Sequence, residues 1–213
     1  MTKQKVYILI PGIWSNPGDN FAWLDRAEDY IERNFPNSRA RQYEYFSPAI
    51  FRRIGQQKRA REVASISAKY LDDGYDVALV GHSNGSDIIC RALSLLNPCA
   101  GISEVHLIAG ACEEDFRRNG LNVALASERV RRVFVYSSHS DTALSKYASK
   151  SRWFRFIGLG YGLLGLVGPK HALSEFGERI TNYREDHLGH CDWLGGEDFV
   201  QTMRRVTQSD CMK

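Results

Sequence analysis

The stretch Val77-Ala78-Leu79-Val80-Gly81-His82-Ser83-Asn84-Gly85-Ser86-Asp87-Ile88-Ile89 decides how the rest of the chain is read. Its first residues form an unbroken apolar run, as expected of a strand covered on both faces, and they predict a strand over 76–81. Apolar residues resume at Ile88 and Ile89 and predict a helix over 87–96, ended by Asn97-Pro98. Only a few residues separate the two, so the chain must reverse sharply about Ser83. Neighbouring chain then passes close to the positions two before and two after the serine. Gly81 and Gly85 stand there and have no side chain to collide.

Similar alternation extends in both directions. Val6-Tyr7-Ile8-Leu9-Ile10 reads as a buried strand closed by Pro11-Gly12, and Phe21 to Phe35 as a helix with Leu24, Ala27, Ile31 and Phe35 along one face. Arg41 to Phe46 reads as a second strand. Ile50 to Leu71 reads as a helix stopped by Gly74. Its basic residues Arg52, Arg53, Lys58, Arg59 and Arg61 have no interleaved aromatics, so they read as a solvated face. Further strands are expected over 105–110, 132–137 and 180–184, and a last helix from Asp192 or later to Val206. Strands alternating with helices imply a largely parallel sheet of about six strands with helices on both faces, the α/β class. No repeat or Pro/Gly/Ser-rich linker divides the chain, so residues 1–213 are read as a single domain.

Composition narrows the function. Of 213 residues, 43% are hydrophobic and 25% charged, which excludes a disordered or collagen-like chain. A formal charge of +3 is too small to predict nucleic-acid binding. Five cysteines without a C-x-x-C pair argue against a disulfide framework or zinc ribbon. No apolar run reaches the ~18 residues needed to span a bilayer, and no signal-peptide core is seen. The expectation is a soluble, cytoplasmic protein.

Gly81-His82-Ser83-Asn84-Gly85 between a strand and a helix is the pattern of a nucleophile elbow. The turn lifts the Ser83 hydroxyl above the sheet edge and aims the helix N-terminus at a developing oxyanion. The Asn84 N–H is one expected oxyanion donor. The other is expected from Ile10-Pro11-Gly12-Ile13-Trp14, with Ile13 preferred over Trp14.

A serine also needs a base, and the base an orienting acid; after an elbow of this kind the acid comes next in the chain and the histidine last. His106 lies within a strand, His82 within the elbow, and His139 and His171 precede the expected place. His187 and His190 remain, and His190 is preferred because Gly189 frees its loop and a helix follows. Asp141, after the strand 132–137, is the preferred acid and Glu113 the alternative. The competing reading of Asp141 is a helix cap. Asp186, His187, His190, Cys191 and Asp192 could also be metal ligands, but no second cluster accompanies them and no metal site is expected.

Taken in order, Ile8-Leu9-Ile10-Pro11-Gly12, the elbow, Tyr136-Ser137-Ser138-His139-Ser140-Asp141 and Gly189-His190 resemble the α/β-hydrolase superfamily, in particular its small members with little or no lid. The resemblance implies Ser83 as nucleophile, Asp141 as acid and His190 as base. It implies hydrolysis of a small-molecule carboxylic ester, thioester or amide through an acyl-serine, with no cofactor. Pro11 departs from the histidine that relatives usually carry before the oxyanion glycine, and the length leaves little room for a cap domain. The Gly-rich apolar segment inside 142–172 reads either as a small lid or acyl-binding insertion, with Leu163 and Leu166 facing the acyl chain, or as buried packing. Two other functions use the same residues: an acyltransferase or thioesterase, and a non-catalytic binding module.

Overall fold

The computed structural model describes residues 3–12, 17–45, 55–146 and 162–208. Six strands, β1 (Lys5–Ile10), β2 (Ser38–Gln42), β3 (Asp76–His82), β4 (Ile102–Ile108), β5 (Val130–Ser137) and β6 (Ile180–Arg184), form one sheet in the order β2-β1-β3-β4-β5-β6. Every neighbouring pair is parallel. The helices are α1 (Pro17–Asn34), α2 (Gln56–Asp72), α3 (Asn84–Leu95), α4 (Leu121–Ala126), α5 (Leu164–Val167) and α6 (Asp198–Thr207), and residues 142–146 are also helical.

The period-two alternation of the strands sorts their side chains between two cores. Val6, Ile8 and Ile10 of β1, with Val77 and Leu79 of β3 and Val105 and Leu107 of β4, pack against Ala60 and Val63 of α2 and Ile88, Ile89 and Ala92 of α3. Tyr7, Leu9, Ala78, Val80, Phe134 and Tyr136 face the other way. They meet Leu24, Ala27 and Ile31 of α1 and Phe199, Met203 and Val206 of α6. The second face also buries one charge. Glu104, fully buried on β4, is paired with Lys5 at 2.6 Å and Arg132 at 2.5 Å, and lies 3.6 Å from His106. These interactions hold its carboxyl well below the usual carboxylate range, against the upward push of burial.

The expected strands and helices recur with shifts that have physical reasons. β2 lies three residues earlier than expected, because Ser38–Gln42 is a half-exposed edge strand with no apolar face to announce it. α3 begins at Asn84 and not at Asp87, since the elbow residues themselves open the helix. α4 is a six-residue helix entered from Gly120 at φ 83°, with Asn119 Oδ1 accepting the Leu121 N–H at 2.9 Å, and no apolar periodicity long enough to predict a helix marks it. Gly195-Gly196 delays α6 to Asp198, and a 3-10 turn over Asp192–Leu194 precedes it.

The chain visits β1, then β2 on one side, then β3 on the other. The C-terminal ends of β1 and β3 therefore flank the point where the order reverses. Ligand crevices form there in open parallel sheets.

Candidate active site

Ser83 follows β3 directly and immediately precedes α3. Its backbone has φ 52° and ψ −117°, a conformation costing a non-glycine residue about 1–3 kcal/mol. Hydrogen bonds hold it there. The Ser83 N–H donates to the Ile108 carbonyl (2.9 Å), and the Ser83 carbonyl accepts from Ala111 (2.9 Å) and Ser86 (3.1 Å). The glycines around it have no space for a side chain. A Cβ on Gly85 would lie 2.3 Å from the Ile10 carbonyl oxygen and 2.8 Å from that of Pro11. A Cβ on Gly81 would lie 2.8 Å from the backbone of Gly85 and 2.7 Å from Ile89. One on Gly12 would lie 3.0 Å from the Ser83 Cβ. The end of β1 therefore abuts the serine directly.

The candidate acid and base come from the loops after β5 and β6. Asp141 is fully buried, and its Oδ2 lies 2.7 Å from His190 Nδ1. Its Oδ1 accepts the Leu144 N–H at 2.8 Å, in the first turn of the helical residues 142–146. One carboxylate thus caps a helix with one oxygen and meets an imidazole with the other. The two loops are stitched together besides. His139 N–H donates to Asp186 Oδ1 (3.1 Å), the Ser140 hydroxyl to the Asp186 carbonyl, and the Ser138 hydroxyl to the Leu188 carbonyl. An imidazole that donates its Nδ1–H to this carboxylate presents Nε2 as its acceptor.

His82 joins this pair to the elbow. Its Nε2–H donates to the His190 carbonyl at 3.0 Å, and the two rings sit 5.0 Å apart. Trp23 of α1 meets the His82 ring edge-on. Burial and the neighbouring His190 lower the His82 pKa to about 3, so the ring stays neutral. Its Nδ1 has no partner among the described residues and lies on the Gly12 side of the elbow.

Two residues not singled out in the sequence, Tyr45 and Gln56, complete the surroundings. The Asn84 side chain, fully buried, accepts from Gln56 Nε2 (2.8 Å) and donates to the Tyr45 hydroxyl (2.9 Å). That hydroxyl donates to the Pro11 carbonyl (2.9 Å). These residues are far apart in the chain, and no local spacing reveals their meeting. As the first residue of α3, Asn84 has a backbone N–H with no intrahelical acceptor.

The other candidates lie elsewhere. His187 is exposed, 3.9 Å from Glu185. Glu113 follows β4, and its carbonyl accepts from Asn119. His106 is buried in β4, stacked on Phe134 and 3.1 Å from the Tyr136 hydroxyl. Asp186 pairs with Arg184, and Asp192 accepts from the Gly189 N–H, so the acidic and imidazole groups of 186–192 point to separate partners. Ile13 and Trp14 lie outside the described residues.

Of segment 142–172, residues 147–161 lie outside the described residues. The part from Gly162 returns against the loop after β4. A Cβ on Gly165 would fall 2.3 Å from the Ala109 carbonyl carbon, and one on Gly162 1.8 Å from that of Cys112. Gly165 N–H donates to the Gly110 carbonyl, and its own carbonyl accepts from Ser138. Leu164 is buried, while Leu163 and Leu166 are half-buried.

No protein-family model matches the chain, and neither does any curated protein sequence. Solved structures do match. Esterase PE8 aligns with a TM-score of 0.55 at 14% identity, over 96% of this chain and 93% of its own. The native esterase Est2 from the Planctomycetes species Thermogutta terrifontis aligns with a TM-score of 0.55 at 10% identity, over 98% and 80%. An uncharacterized protein from Bacillus cereus ATCC 10987 aligns with a TM-score of 0.61 at 13% identity, over 98% of this chain and 61% of its own. Six parallel strands, a strand–serine–helix turn at the reversal of strand order and these structural likenesses make the architecture of the chain an α/β-hydrolase fold.

Proposed function

We propose that the protein is a serine hydrolase acting on a small-molecule carboxylic ester. The observation that carries the reading is the 2.7 Å contact between His190 Nδ1 and the buried Asp141 carboxylate, with the His190 carbonyl bonded to His82, the residue before Ser83. His190 Nε2 takes the Ser83 hydroxyl proton as Oγ attacks the carbonyl carbon. The carbonyl π-electrons move onto oxygen, and the Asn84 N–H at the head of α3 receives that charge, with a second donor from the chain after Gly12. Collapse of this intermediate breaks the bond to the alkoxy oxygen, which takes the proton from His190 and departs as the alcohol. Water then gives a proton to His190 and attacks the acyl-serine, and a second collapse releases the carboxylic acid and restores Ser83. His82, its pKa lowered to about 3 by burial and by His190, is too weak a base to compete.

A fluorophosphonate probe with mass-spectrometric mapping tests the reading. Labelling of the parent at Ser83, lost in Ser83→Ala together with p-nitrophenyl ester turnover, is the expected result. An unlabelled parent, or a label on another residue, refutes it. Product analysis with added alcohol separates hydrolysis from acyl transfer.

A further inference from the structure

We infer that Tyr45 is a positioning residue for the oxyanion hole: its hydroxyl bonds at once to the side chain of Asn84, whose N–H is the donor at the head of α3, and to the Pro11 carbonyl beside the elbow. The inference rests on the function proposed above. Gln56 Nε2 donates to Asn84 Oδ1, Asn84 Nδ2 to the Tyr45 hydroxyl, and the Tyr45 hydroxyl to the Pro11 carbonyl. All three bonds run in one direction, an arrangement in which each polarises the next. Within it is the side chain of Asn84, whose backbone N–H is the proposed oxyanion donor. At its accepting end is the Pro11–Gly12 peptide, which packs against the elbow.

The spacing between these segments has little slack. A Cβ on Gly85 would lie 2.8 Å from the Pro11 oxygen, and a Cβ on Gly12 would lie 3.0 Å from the Ser83 Cβ. The Pro11–Gly12 peptide is thus held between the start of α3 and the Tyr45 hydroxyl. Donors of this kind are effective because they are fixed before charge develops, so a small drift in their separation weakens the transition state more than the bound substrate. Tyr45 needs no contact with substrate for this. Its ring is held independently of its hydroxyl, with the Arg59 guanidinium 4.7 Å from the ring centre and the Tyr43 ring 5.8 Å away. Removing the oxygen therefore leaves the ring packed.

Tyr45→Phe is the test, with Tyr43→Phe as comparison. Tyr43 also loses a hydroxyl hydrogen bond, to Glu62, but that bond does not touch the elbow. Expected for Tyr45→Phe is a kcat lower by ~10–100-fold with KM within about twofold, and a boronic acid that mimics the tetrahedral adduct bound more weakly by a similar factor. Tyr43→Phe keeps the parent kcat. Gln56→Met cuts the chain of bonds at its far end and gives a smaller loss of the same kind, which serves if Tyr45→Phe does not fold. A Tyr45→Phe kcat equal to that of Tyr43→Phe, or a rise in KM alone, overturns the inference while Ser83 labelling of the parent keeps the hydrolase reading intact. A parent that does not label at Ser83 overturns both.

Discussion

Asp141→Asn separates the two tasks carried by one side chain. The substitution keeps an oxygen that can still accept the Leu144 N–H, now 2.8 Å from Oδ1, so the helical residues 142–146 keep their cap. The other end becomes an amide N–H facing His190 Nδ1, 2.7 Å from the present Oδ2. Two donors cannot share that contact. The imidazole must move its proton to Nε2, the nitrogen needed as a base, and the orienting charge is lost as well. A wrong tautomer of this kind lowers kcat by about 10⁴-fold. At 1.36 kcal/mol per decade this is about 5.4 kcal/mol of transition-state stabilisation. Stability should hardly change, with a melting temperature within about 2 °C of the parent. Asp141→Ala, by contrast, also loses the cap, worth about 0.5–2 kcal/mol, and leaves the His190 N–H without its acceptor. At about 2–4 °C per kcal/mol for a chain of this length, the cap alone lowers Tm by ~1–8 °C. Steady-state ester turnover and thermal melts of both variants check the argument. An Asp141→Asn enzyme with more than about a tenth of the parent kcat refutes the catalytic half. Equal melting temperatures for the two variants refute the capping half.

Two further outcomes follow from the geometry. Gly85→Ala drives a Cβ against the Ile10 and Pro11 carbonyl oxygens, neither of which is a flexible side-chain end; a loss of about 3 kcal/mol in urea unfolding is expected, whereas Gly177→Ala, with no neighbour within 4 Å, should be near neutral, and a stable Gly85→Ala refutes the close approach of β1. His82 and His106 both have pKa values lowered by burial, so the unfolded chain binds protons that the folded one does not. Their contribution is complete above pH 6.5 and is lost as pH falls toward the folded values, at up to about 1.4 kcal/mol per pH unit for each imidazole. Urea midpoints between pH 7 and 5, above the ordinary carboxylate range, should fall with a slope that His82→Gln reduces. An unchanged slope refutes a neutral buried His82.

The legible parts of the chain are those where chemistry is written in adjacent residues. β1, β3, β4 and β5 announce themselves by apolar runs because they are buried on both faces, and the elbow by two glycines at fixed offsets. The edge strand β2 carries a polar sequence, so Tyr43 and Tyr45 were read into it, whereas both follow it. Tyr45 instead lends its hydroxyl to Pro11 and Asn84. Asn84 drew attention only for its backbone N–H, and its side-chain partners at positions 45 and 56 are set by how α2 and the end of β2 approach the elbow. His82 reads from the sequence as unable to reach the adjacent serine, and its bond to the His190 carbonyl depends on a residue 108 positions away. Such meetings are fixed by tertiary packing and leave no periodic trace.

The twisted backbone at Ser83 has a consequence for anyone improving this protein. Its positive φ would suit glycine, which could relax the turn at no steric penalty. A screen that rewards heat resistance alone would therefore favour Ser83→Gly, which under the proposed function selects an inert scaffold, so durability and turnover have to be scored together.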